Sequence, residues 1–223
     1  MGTEGIEIRS GDATLEGDLS LPAEDAGVVV FAHGSGSSRH SPRNQAVARE
    51  LGSAGLGTLL IDLLTSEEEQ VDLRTGRLRF DIGFLAERVA AATRWLRDRK
   101  ETAQSPIGYF GASTGAAAAL VAAANSPGEI SAIVSRGGRP DLAGEALAQV
   151  QAPTLLIVGG EDQAVIPLNE EARDRLSAPV RLEIVPGATH LFEEPGALER
   201  VSELATQFFG ENLRPKSETS DHP

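Results

Sequence analysis

The 223-residue chain contains no cysteine, which excludes disulfides, thiolate metal sites and a cysteine nucleophile. That absence fits a reducing compartment, and a cytoplasmic location is the expectation. No long uncharged apolar run of the kind that spans a bilayer occurs. The start, Met1-Gly-Thr-Glu-Gly-Ile-Glu, is acidic and polar, unlike a secretory signal peptide. Basic residues are the scarcer sign, 20 Lys and Arg against 33 Asp and Glu, for a net charge of −13. Such a surface repels phosphate backbones, so neither a nucleic-acid nor a membrane partner is expected. The length suits one large α/β domain over 1–213, followed by a polar tail, 214–223, expected to be disordered. A monomer or small homo-oligomer is expected.

What is present is an alternation of apolar runs and helical stretches, the pattern of a mainly parallel sheet covered on both faces. Ile6-Glu-Ile-Arg and the run from Ala13 to Leu21, split by Gly11-Asp12, read as a hairpin. Gly27 to Ala32 and Thr58 to Leu64 read as buried strands around a helix from Ser41 to Ala54, with Pro42 in its first turn. Residues 65–82 are polar and charged and read as an irregular surface excursion. A helix over Phe84–Arg99 sets Leu85, Val89, Ala92 and Leu96 on one face. After a strand ending at Ala112 and an alanine-rich helix come a strand at Ile130–Ser135, a helix over Asp141–Val150 and strands at Thr154–Val158 and Val180–Val185. A helix over 168–177 lies between the last two, and an amphipathic helix over Leu198–Phe209 ends the order.

The chemistry is concentrated at Ile107-Gly-Tyr-Phe-Gly-Ala-Ser-Thr-Gly-Ala. Gly-x-Ser-x-Gly between a strand and a helix is what a nucleophile elbow requires, and it nominates Ser113. A serine hydroxyl needs a general base, and the base needs a carboxylate to orient it. Of four histidines, His190 follows the last strand and opens at the elbow's edge of the sheet; His33, His40 and the tail's His222 are weaker choices. Asp162, beyond the penultimate strand, is the carboxylate, with Glu161 its main rival and Asp62 another. The order Ser113, Asp162, His190 is that of the α/β-hydrolase fold. Oxyanion donors are expected from the Thr114 amide and from Phe31-Ala-His-Gly-Ser-Gly-Ser-Ser, with Ser35 ahead of Gly36.

Gly34-x-Gly36 after a strand, with Asp62 beyond, also suggests a dinucleotide-binding start. Arg39 stands where the third glycine would fall, and a hairpin precedes the strand. That reading also leaves the three catalytic candidates unexplained.

With His33-Gly-Ser-Gly, Gly111-Ala-Ser-Thr-Gly, Gly159-Gly-Glu-Asp and Gly187-Ala-Thr-His in place, residues 5–210 resemble an α/β-hydrolase of the dienelactone-hydrolase-like group. The resemblance implies an eight-stranded sheet with an antiparallel second strand, and ester hydrolysis through an acyl-enzyme. It assigns the nucleophile to Ser113, the acid to Asp162 and the base to His190. The namesake enzymes use cysteine where this chain has Ser113, so the dienelactone substrate is not carried over.

The expectation is therefore a single-domain serine esterase for small, short-chain esters, needing no metal or cofactor. A thioesterase, lactonase, amidase or C–C hydrolase would use the same residues, and a binding module retaining the fold is the non-enzymatic alternative. Residues 136–153 leave room for one helix but no cap domain, and 65–82 is the only candidate lid. Arg39, Arg43, Arg136 and Arg139 fall at the catalytic edge and could recognise a carboxylate or phosphate on the substrate.

Overall fold

The computed structural model describes residues 2–22 and 26–213. The expected tail, with His222, lies outside them. Among the described residues eight strands form one sheet in the order β1-β2-β4-β3-β5-β6-β7-β8. β1 (Thr3–Ser10) and β2 (Ala13–Ser20) make the hairpin, turned at Gly11 with φ 61°. β2 runs antiparallel to both β1 and β4 (Gly57–Ile61), and every later pairing is parallel. β3 (Val28–Ala32), β5 (Ile107–Ala112) and β7 (Thr154–Gly159) are buried along their whole length, as strands covered on both faces must be. β6 (Ile130–Arg136) and β8 (Val180–Val185) complete the sheet.

One apolar layer packs α1 (Pro42–Ser53) and α6 (Ala197–Asn212) on the sheet through Val47, Leu51, Val201 and Phe209. The other packs α3 (Ile82–Asp98) and α4 (Thr114–Ala124), and α5 (Ile166–Arg175) flanks it. The Leu85–Val89–Ala92–Leu96 face of α3 is buried as its spacing predicts. In α4 the alanines are buried almost all round, which allows close packing against both α3 and the sheet.

Two segments differ from their sequence reading. Residues 65–82 are ordered rather than irregular: α2 (Ser66–Thr75) is followed by a 3-10 turn at Leu78–Phe80. Thr65 and Glu68 cap α2 reciprocally, and Gly76 ends it at φ 63°. The expected helix over Asp141–Val150 is a 3-10 segment, Pro140–Gln149, broken at Gly144, whose φ of 55° no helix tolerates.

The parallel register matters most at one edge. Ala32 pairs with Ile61 and Gly111, Ala112 with Arg136, Arg136 with Ile157, and Gly159 with Val185. The segments that follow these strands therefore emerge side by side, where open parallel sheets place their sites.

Candidate active site

Ser113 sits between β5 and α4 at φ 51°, ψ −121°, a strained conformation for a residue with a Cβ. Close packing imposes it. A Cβ on Gly111 would sit on the backbone of Ala116, and one on Gly115 on the carbonyls of Ala32 and His33. Although Ser113 is at the helix N-cap, its side chain makes no capping bond, so the hydroxyl is left for other work. Its amide donates to Arg136 O at 3.3 Å and its carbonyl accepts from the Arg139 amide at 3.1 Å.

That same post-β6 loop reaches the expected base. A Cβ on Gly137 would lie 3.0 Å from His190 O and 3.7 Å from His190 Cε1. Nδ1 of His190 is hydrogen-bonded to Asp162 Oδ2 at 2.6 Å, with the Asp162 side chain 11% exposed. Asp162 is held in turn by its amide donating to Gly159 O at 3.0 Å. The structure thus bonds His190 to Asp162, at the sheet edge where the loop after β6 lies against both Ser113 and His190. The rivals go elsewhere. Glu161 points to solvent, and Asp62 is occupied by the Arg39 side chain and the Arg39 amide, the latter at 2.6 Å. His40 is exposed. His33 is buried, accepting from the Leu63 amide at Nε2 (2.9 Å) and donating from Nδ1 to Gly34 O (2.9 Å). Burial lowers its pKa against the opposing effects of Gly34 and nearby acids, so the ring is a neutral strut.

The two expected oxyanion residues also meet: Ser35 Oγ lies 3.0 Å from Thr114 Oγ1. Thr114 is the first residue of α4, where amides lack an intrahelical acceptor and the helix dipole favours negative charge. Gly36, the runner-up, takes φ 67° in a turn closed by Ser37 N–H to Gly34 O at 3.2 Å. A solvent-open cleft lies beside this pair, between Ser35, Leu63, Leu64, Glu69, Arg79 and Thr114.

Sequence reasoning missed how α2 becomes a wall of that cleft. Asp72, 2% exposed, accepts from the Leu78 amide (2.7 Å), the Arg79 amide (3.2 Å) and Arg79 Nε (2.5 Å). Burial opposes ionisation of Asp72, but these donors outweigh it and hold the carboxyl below its ordinary value. The capping-box pattern Thr65-x-x-Glu68 was the available signal.

The four arginines do not act alike, which corrects the expectation of a converging cluster. Arg39 is taken by Asp62, Glu16 (2.6 Å) and Asp18 (3.6 Å), and Arg139 grips Asp141 with two bonds of 2.8 and 2.7 Å. Acids in reach on neighbouring strands and turns have neutralised both, and neither is a free cation for a substrate. Arg43 pairs with Glu193 at 2.9 Å, and among the described residues Arg136 has no carboxylate partner.

Comparison with known proteins agrees with the fold. A crystal structure of dienelactone hydrolase from Anabaena variabilis is 57% identical, covers 96% of this chain and 99% of its own, and superposes with a TM-score of 0.93. Est1E from Butyrivibrio proteoclasticus, 17% identical over 93% of this chain and 98% of its own, shares the fold at a TM-score of 0.78. Two Mycobacterium tuberculosis proteins named "Putative phosphoribosyl transferase" are 54% identical over 210 residues, 94% of this chain. The chain spans about half the length of those curated relatives, 46% of each. The dienelactone hydrolase family pattern matches residues 15–212, and the chain belongs to that family of hydrolases.

Proposed function

We propose that this protein is a serine carboxylesterase acting on small, short-chain esters through an acyl-enzyme, without metal or cofactor, in the cytoplasm. The observation that carries the reading is the 2.6 Å His190–Asp162 bond at the same sheet edge as a strained, uncapped Ser113. With Nδ1–H given to Asp162, the lone pair of His190 is on Nε2, the nitrogen a nucleophilic serine needs. Nε2 takes the Ser113 proton as Oγ attacks the ester carbonyl. The amides of Ser35 and Thr114 hold the oxyanion, a contribution of roughly 10²–10³ in rate per donor. His190 then protonates the leaving alcohol, and water activated by the same nitrogen releases the acid. Leu63, Leu64 and Leu85 line the cleft beside the oxyanion pair and suit a short acyl chain.

The test is p-nitrophenyl acetate turnover with a Ser113→Ala control, together with labelling of Ser113 by a fluorophosphonate probe. Loss of turnover by about 10⁴-fold or more in a folded variant is expected; undiminished activity would refute the assignment. A panel of thioesters, lactones and amides then decides among chemistries the same residues could perform.

The name of the Mycobacterium tuberculosis relatives supplies a second reading, phosphoribosyl transfer. It belongs to proteins of which this chain matches 46%, and the Ser113–His190–Asp162 arrangement has no role in it. Pyrophosphate release from a phosphoribosyl donor that persists in Ser113→Ala would favour it.

A further inference from the structure

Two of the described arginines are buried, Arg88 at 5% and Arg136 at 7% exposure, and the fold treats them differently. Arg88 stacks 4.6 Å over Phe84 and donates from Nη2 to Glu68 at 2.7 Å. Arg136 lies 6.0 Å over Phe192, and its Nε and Nη1 are sealed from solvent with no acceptor among the described residues. Stacking satisfies the face of a guanidinium, not the N–H groups in its plane. Burial, with Arg43 nearby, pulls the Arg136 pKa down to about 10, so it remains a cation at neutral pH. A buried charge without a partner is strongly unfavourable, and proteins pair such charges.

Arg43 repeats the pattern. Among the described residues its Nε is also sealed without an acceptor, and its one acid, Glu193, has a side chain 63% exposed. Two cations against one solvent-facing carboxylate leave a local positive excess in a chain of net charge −13. The surroundings belong to the candidate active site. The Arg136 carbonyl receives the Ser113 amide, while Phe192 and Glu193 follow His190 by two and three residues.

We propose that Arg136 and Arg43 form a binding site for a small oxyanion, a carboxylate or phosphate group, on the His190 side of Ser113. Unused N–H donors on two neighbouring guanidinium groups are the donor set such anions fit. The anion is either a group on the substrate itself or a free ion held beside it. Its part in turnover rests on the hydrolase reading; its existence does not.

Thermal denaturation of the full chain against inorganic phosphate, with sodium chloride balancing ionic strength, tests the site. In the wild type and in Ser113→Ala the midpoint rises to saturation, and phosphate affinity weakens about tenfold or more in Arg43→Gln and Arg136→Gln. Should Arg136→Gln not fold, Arg43→Gln carries the comparison. A rise no larger than that with chloride alone, or an equal phosphate response in the variants, overturns the proposal. A second arm identifies the source by comparing kcat/KM for p-nitrophenyl acetate and mono-p-nitrophenyl succinate. If the substrate supplies the anion, the succinate-to-acetate ratio falls about tenfold in Arg43→Gln, and phosphate competes with the succinate ester. If a free ion fills the site, the ratio is unmoved and phosphate changes both turnovers by the same factor. Were neither ester hydrolysed, the hydrolase reading would fall while the denaturation result stood.

Discussion

The turn that carries Ser113 and the turn that carries His190 each contain a non-glycine residue at positive φ, Ser113 at 51° and Phe192 at 56°, the two such residues among those described. Main-chain packing restrains both, and side chains add a second set of ties to the turn of His190. Around Ser113 the constraint is main chain against main chain: Gly111 abuts the start of α4 and Gly115 abuts the end of β3, with no room for a methyl group. Around His190 main chain also presses on main chain, since a Cβ on Gly159 would fall on the carbonyl oxygens of Ala188 and Thr189, but side chains add further ties. Asp162 takes the imidazole, Glu194 accepts from the Thr189 amide (3.1 Å) and hydroxyl (2.6 Å), and the Phe192 ring is buried at 1% exposure in the α1–α6 layer. A turn fixed by backbone contact tolerates almost no change in shape. The side-chain ties added around His190 can be cut one at a time.

The difference can be broken deliberately. Asp162→Asn cuts the tie that orients the imidazole while leaving the turn folded. We expect kcat to fall by about 10³–10⁴-fold, as when a triad carboxylate is neutralised, with an almost unchanged denaturation midpoint. Ester kinetics beside a melting curve separate the two. Gly115→Ala attacks the other turn and should do the reverse. A methyl group driven onto the carbonyls of Ala32 and His33 should cost about 3 kcal/mol or more of stability, read from the urea midpoint. A variant as stable as the wild type would mean that β3 and α4 can part more easily than their packing indicates.

Phe192→Ala falls between these cases. Removing a buried aromatic ring costs about 3–5 kcal/mol, and the positive-φ strain remains because alanine keeps the Cβ. A loss of about 3–5 kcal/mol is expected. Because the ring also faces Gly137 and Arg136, KM and kcat should both move. A change confined to stability would show that Phe192 anchors the turn without placing His190.

The same distinction explains what the sequence made legible. Backbone contact demands small residues at fixed spacing, so Gly111-x-Ser113-x-Gly115 could be read directly, as could the strand and helix around it. The order Ser113, Asp162, His190 follows from strands ending at one edge. The side-chain ties of the second turn leave no pattern, since nothing in Phe192 or Glu194 as letters says that they brace a histidine. Residues 65–82 escaped for a related reason. The apolar residues of α2, Val71 and Leu73, are exposed at 46% and 68%, so it has no buried stripe to give periodicity. Its order comes from Thr65–Glu68 capping, Asp72–Arg79 and Arg88–Glu68. The arginines divide likewise. Arg39 and Arg139 look as free as Arg136 in the sequence until the fold delivers Asp62 and Asp141 to two of them.

His33 offers the finest test, because its turn uses both kinds of restraint. Gly34 is pressed toward Ser113, where a Cβ would come 2.9 Å from Ser113 Cβ, and the His33 ring pins the same turn through Leu63 and Gly34. Burial lowers the folded-state pKa of this ring below 6.5, whereas the unfolded chain titrates near 6.5. Below that pH the unfolded state binds the extra proton. The contribution of neutral His33 is therefore complete above pH 6.5 and lost as pH falls beneath it. Between pH 7.5 and 5.5 the urea-derived stability should drop, with a slope of at most about 1.4 kcal/mol per pH unit from this group. His33→Asn should be less stable at pH 7.5 but flatter across the range. Equal slopes in the two proteins would mean that backbone contact alone holds this turn, as it holds the one carrying Ser113.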